Sequence, residues 1–119
     1  MGKLLVVDDN PTDRLILRRM LETNGYEVDE VCDGSEVLEK LNKADFDLVF
    51  LDIFMQIEEG FETLTNIQHC NPDLPVVIVS CAADTYGSQM LDLGAREAIQ
   101  KPVDRLQLLK TVSDNLYHG

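Results

Sequence analysis

Apolar residues in this chain gather in five short runs, and between the runs they recur every three or four positions. The first run, Leu4 to Val7, ends abruptly at Asp8 and Asp9. Asn10 and Pro11 come next and predict a helix start, because Asn is a favoured N-cap and Pro suits the first helical position. Ile16, Leu17, Met20 and Leu21 make the inward stripe of that helix, and Asn24-Gly25 ends it. The second run, about Glu27 to Val31, alternates apolar and polar residues. Asp33-Gly34-Ser35 then opens a helix with Val37, Leu38 and Leu41 turned inward. The third run, "DLVFLD" from Asp47 to Asp52, is apolar at four consecutive positions, the mark of a strand covered on both faces. A loop leads to Gly60, followed by a helix with Phe61, Leu64 and Ile67 on one side, which Asn71-Pro72 ends. "PVVIVS", Pro75 to Ser80, is the fourth strand. A helix over Asp84 to Leu93 is interrupted by Gly87, at about 1 kcal/mol relative to Ala, and closed by Gly94. A short strand, about Ala98 to Gln100, precedes Lys101-Pro102, and the last helix starts near Asp104 with Leu109, Val112 and Leu116 on one face.

Strict alternation of strand and helix predicts a parallel sheet with helices on both faces. Right-handed crossovers make this a doubly wound α/β sandwich of one domain, residues 1–119. Composition narrows the class further. At 45% hydrophobic and 27% charged residues the chain has the balance of a folded domain. Its longest apolar runs fall far short of the ~18 residues a membrane span needs, and no signal peptide is expected, since acids follow the first apolar run. A net charge of −12 argues against nucleic acid as a partner and for a cation or a basic protein surface. Cys32, Cys70 and Cys81 show no C-x-x-C spacing and read as buried or incidental thiols, with Cys81 in the core, so the cytoplasm is the expected compartment. His69 and His118 lack partners at metal spacing and read as surface residues.

In a doubly wound sheet, ligands bind beyond the carboxyl ends of the strands. Those ends carry Asp8 and Asp9, Asp52, Ser80 and Lys101. Three carboxylates suit Mg²⁺, a hard cation that takes oxygen ligands and keeps several waters. Such a cation also relieves the repulsion between neighbouring acids. The Lys101 ammonium and Ser80 hydroxyl suit a phosphoryl group. A carboxylate between metal and lysine can act as a nucleophile and form an acyl phosphate. Asp52, alone at the end of the most buried strand, is the candidate nucleophile. Each residue also has an ordinary reading: Asp8 and Asp9 as helix-capping acids, Asp52 as a turn residue, Ser80 bonded to backbone, and Lys101-Pro102 as a helix-entry turn. The joint arrangement is what favours the phosphoryl site.

Asp8-Asp9 after "LLVV", Asp52 after "LVFL" with Met55 and Gly60 downstream, Ser80 after "VVIV", and Lys101-Pro102 together resemble the response-regulator receiver domain over essentially the whole chain. The resemblance implies a flavodoxin-like sheet of five strands in the order 2-1-3-4-5 with five helices. It implies Asp52 as phosphoacceptor, Asp9 as a direct Mg²⁺ ligand with Asp8 assisting, and the Phe54 backbone carbonyl as a further ligand. Ser80 would swing toward the phosphoryl group, Lys101 would pair with a phosphoryl oxygen, and the Lys101–Pro102 peptide would be cis. The phosphoryl donor would be a phospho-histidine on a sensor histidine kinase or a histidine phosphotransfer protein, and the acyl phosphate would be hydrolysed slowly and switch partner binding.

Four positions depart from the family pattern. Gln56 follows Met55 where Pro is common, and Glu59 precedes Gly60 where Asp or Asn is usual. Ala98 stands three residues before Lys101, where many receivers carry a Tyr or Phe that turns inward on activation. Phe54 is bulky where small or polar residues are common, and is expected to shield the acyl phosphate from water. Two rival readings remain. Asp8-Asp9-Asn10-Pro11-Thr12 resembles the D-x-D-x-T motif of haloacid-dehalogenase-like phosphatases, but with Asn10 in place of the second Asp. A pseudo-receiver, a binding module working without phosphorylation, is the other.

Overall fold

A computed structural model describes residues 2–53 and 57–116, with the backbone alone at 57 and 58. Its elements are β1 (Lys3–Val7), α1 (Pro11–Glu22), β2 (Glu27–Val31), a 3₁₀ turn (Gly34–Glu36), α2 (Val37–Lys43), β3 (Leu48–Leu51), α3 (Ile57–Cys70), β4 (Val76–Ser80), α4 (Ala83–Asp92), β5 (Glu97–Gln100) and α5 (Arg105–Leu116). All strand pairings are parallel, in the order β2-β1-β3-β4-β5. This is the five-stranded, doubly wound arrangement expected.

Side-chain alternation along the strands builds two cores. Leu5, Val7, Val49, Leu51, Val76 and Ile78 point to one face, where Val37 of α2, Leu64 and Ile67 of α3 and Met90 of α4 cover them. Leu4, Val6, Leu48, Phe50, Val77 and Val79 point to the other, under Leu17 and Leu21 of α1 and Leu108 and Val112 of α5. The three central strands are buried at nearly every position, so they lack the polar alternation seen in the edge strand β2.

Local chemistry sets the element ends. The Asn10 side chain accepts the N–H groups of Thr12 (2.9 Å) and Asp13 (3.1 Å), and Pro11 takes the first helical position of α1. Gly25 supplies the positive φ, 89°, that turns the chain from α1 into β2. Several expectations are corrected. Ile16 is 45% exposed rather than inward, because Leu17 and Leu21 already fill the narrow contact of α1 with the sheet. α3 starts at Ile57, so Gly60 lies inside the helix rather than before it. A Cβ there would stand 2.9 Å from Ile53 Cβ, so glycine lets the first turn of α3 seat directly on the end of β3. α4 runs through Gly87, which is buried: its missing Cβ would be 3.0 Å from Ala98 Cβ on β5. Cys81 is exposed rather than in the core, as are Cys32 and Cys70. β4 ends at the fully buried Ser80, and the next residue turns outward. No helix among the described residues is long and apolar enough to cross a membrane.

Candidate functional site

The strand register decides which side chains meet. Val7 pairs with Leu51, so Asp8 and Asp52 leave adjacent strands at the same level. The Asp52 N–H continues the ladder by donating to the Val7 carbonyl at 2.9 Å. On the other side of β3, Ser80 pairs with Gln100, and the Lys101 N–H donates to the Ser80 carbonyl at 3.0 Å. Lys101 therefore leaves β5 at the same rim and reaches back across the end of β4. Its Nζ donates to Asp8 Oδ2 at 2.8 Å and to Asp52 Oδ2 at 3.1 Å, residues 93 and 49 positions away in the chain. The Lys101–Pro102 peptide is cis.

A third acid joins them. Asp13, in the first turn of α1, accepts a hydrogen bond from Lys101 Nζ at 2.8 Å. Strand-end logic does not reach Asp13, because it lies on a helix. The available signal is the Asn10-Pro11 start of α1, which places Asp13 in the turn directly above the strand end. Sequence patterning does not mark Gln100 either. Its amide accepts the Asp84 N–H and donates to the Cys81 carbonyl, both at 2.8 Å, and so ties the β4–α4 turn to β5.

Asp8 is 1% exposed. Its Oδ1 accepts the Asn10 N–H at 2.9 Å, and its backbone carbonyl accepts from Arg14 at 2.6 Å. Burial pushes the Asp8 carboxyl above the usual carboxylate range. The Lys101 and Asn10 hydrogen bonds pull the other way, and the Asp52 charge adds to the rise. Burial acts to lower Lys101, but its bonds to Asp13 and Asp8 and the charge of Asp52 outweigh it and hold the ammonium firmly protonated. The Lys101 direction follows from several acids sharing a single ammonium, and the Asp8 direction first from burial. Asp9 is exposed on the rim, and oxygens of Asp8, Asp9 and Asp52 lie within 4.8 Å of one another. Ser80 is fully buried, and its Oγ accepts the Ala82 N–H at 3.0 Å. Phe54, Met55 and Gln56 lie outside the described residues, and with them the expected carbonyl ligand and the shielding ring.

The donor set fits a divalent cation. Asp8, Asp9 and Asp52 offer only oxygen, the ligand type Mg²⁺ selects. Each Asp8 oxygen carries one hydrogen bond, and a carboxylate has about four lone-pair sites, so capacity for a metal bond is left. Cys32, Asp33 and Glu36 also lie close together, but Glu36 holds the Cys32 N–H and thiol while Asp33 caps the following turn.

A doubly wound 2-1-3-4-5 sheet whose carboxyl edge joins paired acids, a lone acid, a buried hydroxyl and a lysine directly before a cis proline is the architecture of two-component signalling receivers. The chain belongs to the response regulator receiver domain family, which matches residues 4–113. Transcriptional regulatory protein ZraR of Klebsiella oxytoca is 38% identical over 117 residues, covering 97% of this chain and 26% of that protein. Sensor protein EvgS of Escherichia coli (strain K12) is 34% identical over 115 residues, 96% of this chain and 10% of that protein. The chain thus spans a tenth to about a quarter of the length of these two curated relatives. Among solved structures, a CheY-like receiver domain protein from Methanospirillum hungatei superposes with a TM-score of 0.89 at 30% identity, covering 98% of this chain and 94% of that one. Response regulator TrrA from Thermotoga maritima, solved in complex with Mg²⁺ and BeF, gives 0.88 at 32% identity, covering 98% and 100%.

Proposed function

We propose that residues 1–119 form a single cytoplasmic receiver that takes a phosphoryl group onto Asp52 from a phospho-histidine of a sensor histidine kinase or histidine phosphotransfer protein. The observation that carries this reading is the reach of Lys101, from the end of β5, onto both Asp8 and Asp52. A half-buried lysine held against a buried strand-end acid is where a phosphoryl group on that acid would find its counter-charge.

Asp52 supplies the nucleophilic oxygen. Its bond to phosphorus forms as the P–N bond to the donor ring breaks, and the electron pair stays on the ring nitrogen, with a solvent proton restoring the neutral imidazole. Mg²⁺ held by Asp8, Asp9 and Asp52 would supply charge neutralisation for the acids and the phosphoryl oxygens. The Phe54 carbonyl is the proposed further ligand. Lys101 orients and neutralises the transferred group, and slow hydrolysis resets the site. Ser80 Oγ, now on the Ala82 N–H at the mouth of α4, exchanges that bond for a phosphoryl oxygen and carries the change into the β4–α4 turn.

Asn10 stands where a haloacid-dehalogenase-like phosphatase would need its second acid, and its side chain caps α1 instead. The pseudo-receiver is the reading that Ala98 favours, since Ala98 Cβ abuts the Gly87 position and offers no aromatic to turn inward. Intact mass after incubation with acetyl phosphate and Mg²⁺ separates the two. The receiver reading expects a gain of one phosphoryl group in the wild type and none in Asp52→Asn. No gain in either protein leaves the pseudo-receiver.

A further inference from the structure

Lys101 has three ammonium N–H groups, and three carboxylates take them: Asp8 and Asp13 at 2.8 Å and Asp52 at 3.1 Å. A phosphoryl oxygen approaching Asp52 can pair with Lys101 only if one of these bonds is released. The three do not cost the same to break. The side chains of Asp8 and Asp52 are 1% and 5% exposed, so before the bond to phosphorus forms either carboxylate would lose its ammonium where little water reaches it. The Asp13 side chain is 32% exposed. It lines a groove of about 210 Å³ together with Ile16, Leu17, Pro102 and Val103, and there a released carboxylate meets water. The cap on α1 holds Asp13 in place, through the Asp13 N–H on Asn10 Oδ1.

We propose that Asp13 is a positioning residue that competes with the incoming phosphoryl group for the third N–H of Lys101, and thereby slows phosphorylation of Asp52. The inference rests on the phosphoryl-acceptor reading above. With acetyl phosphate, an Asp52 oxygen bonds to phosphorus while the P–O bond to the acetyl group breaks, and the electron pair leaves on acetate. Nothing is oxidised or reduced. The site exchanges a carboxylate for an acyl phosphate dianion and so becomes more negative. Asp13 opposes this step twice: it occupies a donor the dianion needs, and its own charge repels the dianion.

Asp13→Asn keeps the shape of the side chain and removes its charge. With acetyl phosphate and Mg²⁺, followed by intact mass over time, Asp13→Asn gains the phosphoryl group about two- to fivefold faster than wild type, the factor a partly exposed ion pair is worth. A merely structural role would not speed the reaction. A rate equal to or slower than wild type overturns the competition. A double-mutant cycle of Asp13→Asn and Lys101→Met, read by urea unfolding in EDTA, tests the pair without any phosphoryl chemistry. Non-additive unfolding midpoints are expected, and additive ones overturn the contact. If wild type gains no mass at all while the cycle still shows coupling, the acceptor reading has failed and takes the competition with it. The ion pair itself then stands as structure only.

Discussion

Asp8 is the residue under most electrostatic load. It is buried, its carboxyl is pushed upward by that burial and by Asp52, and one shared ammonium holds it. A group whose pKa is higher in the folded than the unfolded protein favours folding when protonated. That contribution is present at low pH and is lost as pH rises through the folded value. At neutral pH the ionised Asp8 therefore works against the fold. Removing one partner of a buried ion pair is ordinarily damaging, because it strands the other charge. Here Lys101 keeps Asp13 and Asp52. Asp8→Asn is accordingly expected to be more stable than wild type at neutral pH, on the order of 1 kcal/mol. The advantage shrinks as pH falls from the raised Asp8 value toward the ordinary 3.8. Urea unfolding in EDTA across that window checks it, and a gap independent of pH would remove Asp8 titration as the cause.

At the scale of the element, α4 lies on β5 through a contact with no spare room. Gly87 and Ala98 approach so closely that a Cβ on the first would stand 3.0 Å from the Cβ of the second. Ala98 Cβ is fixed to a strand backbone and cannot move aside. Replacing a helix-interior glycine with alanine ordinarily gains about 1 kcal/mol. Gly87→Ala is expected to lose stability instead, by about 1 kcal/mol net once overpacking is set against propensity, seen as a lowered thermal midpoint. This contact also shows what is legible in a sequence and what is not. The strand runs and the Asn10-Pro11 cap depend on neighbours in the chain, so their order and approximate ends can be read from patterning. Gly87 reads as a weak point in its helix because its reason for being glycine lies across the fold. The same holds for Gly60 against Ile53, and for Ile16, whose spacing fits a stripe wider than α1 buries. At the site, Asp8, Asp9, Asp52, Ser80 and Lys101 are legible because each ends a strand. Asp13 is not, because its partner arrives from the far end of the chain.

For the whole molecule, a net charge of −12 makes any bound cation a stabiliser, so specific and diffuse effects have to be told apart. On the proposed reading, Mg²⁺ at the Asp8, Asp9 and Asp52 edge would raise the unfolding free energy by about 2.7 kcal/mol at a hundred times its dissociation constant. Diffuse screening does not saturate in this way. The expected result is a saturable rise in thermal midpoint with Mg²⁺ at constant ionic strength, reversed by EDTA. Asp9 is exposed, so Asp9→Asn should leave the midpoint in EDTA nearly unchanged and abolish most of the Mg²⁺ response. A response equal to that of wild type would remove Asp9 as a ligand.

Lys101 closes on Asp8 across 93 residues, and this separation has a consequence during biosynthesis. Translation at about 5–20 residues per second leaves an interval of roughly 5 to 19 seconds between the emergence of the two partners. Over the second half of that interval, once Asp52 has emerged, the nascent chain carries its aspartates without their lysine, and their mutual repulsion disfavours closing the first and third strands fully at that end. Arrival of the fifth strand from the ribosome is what locks the rim, so a product terminated before Lys101 would be unable to assemble the finished acid–lysine cluster.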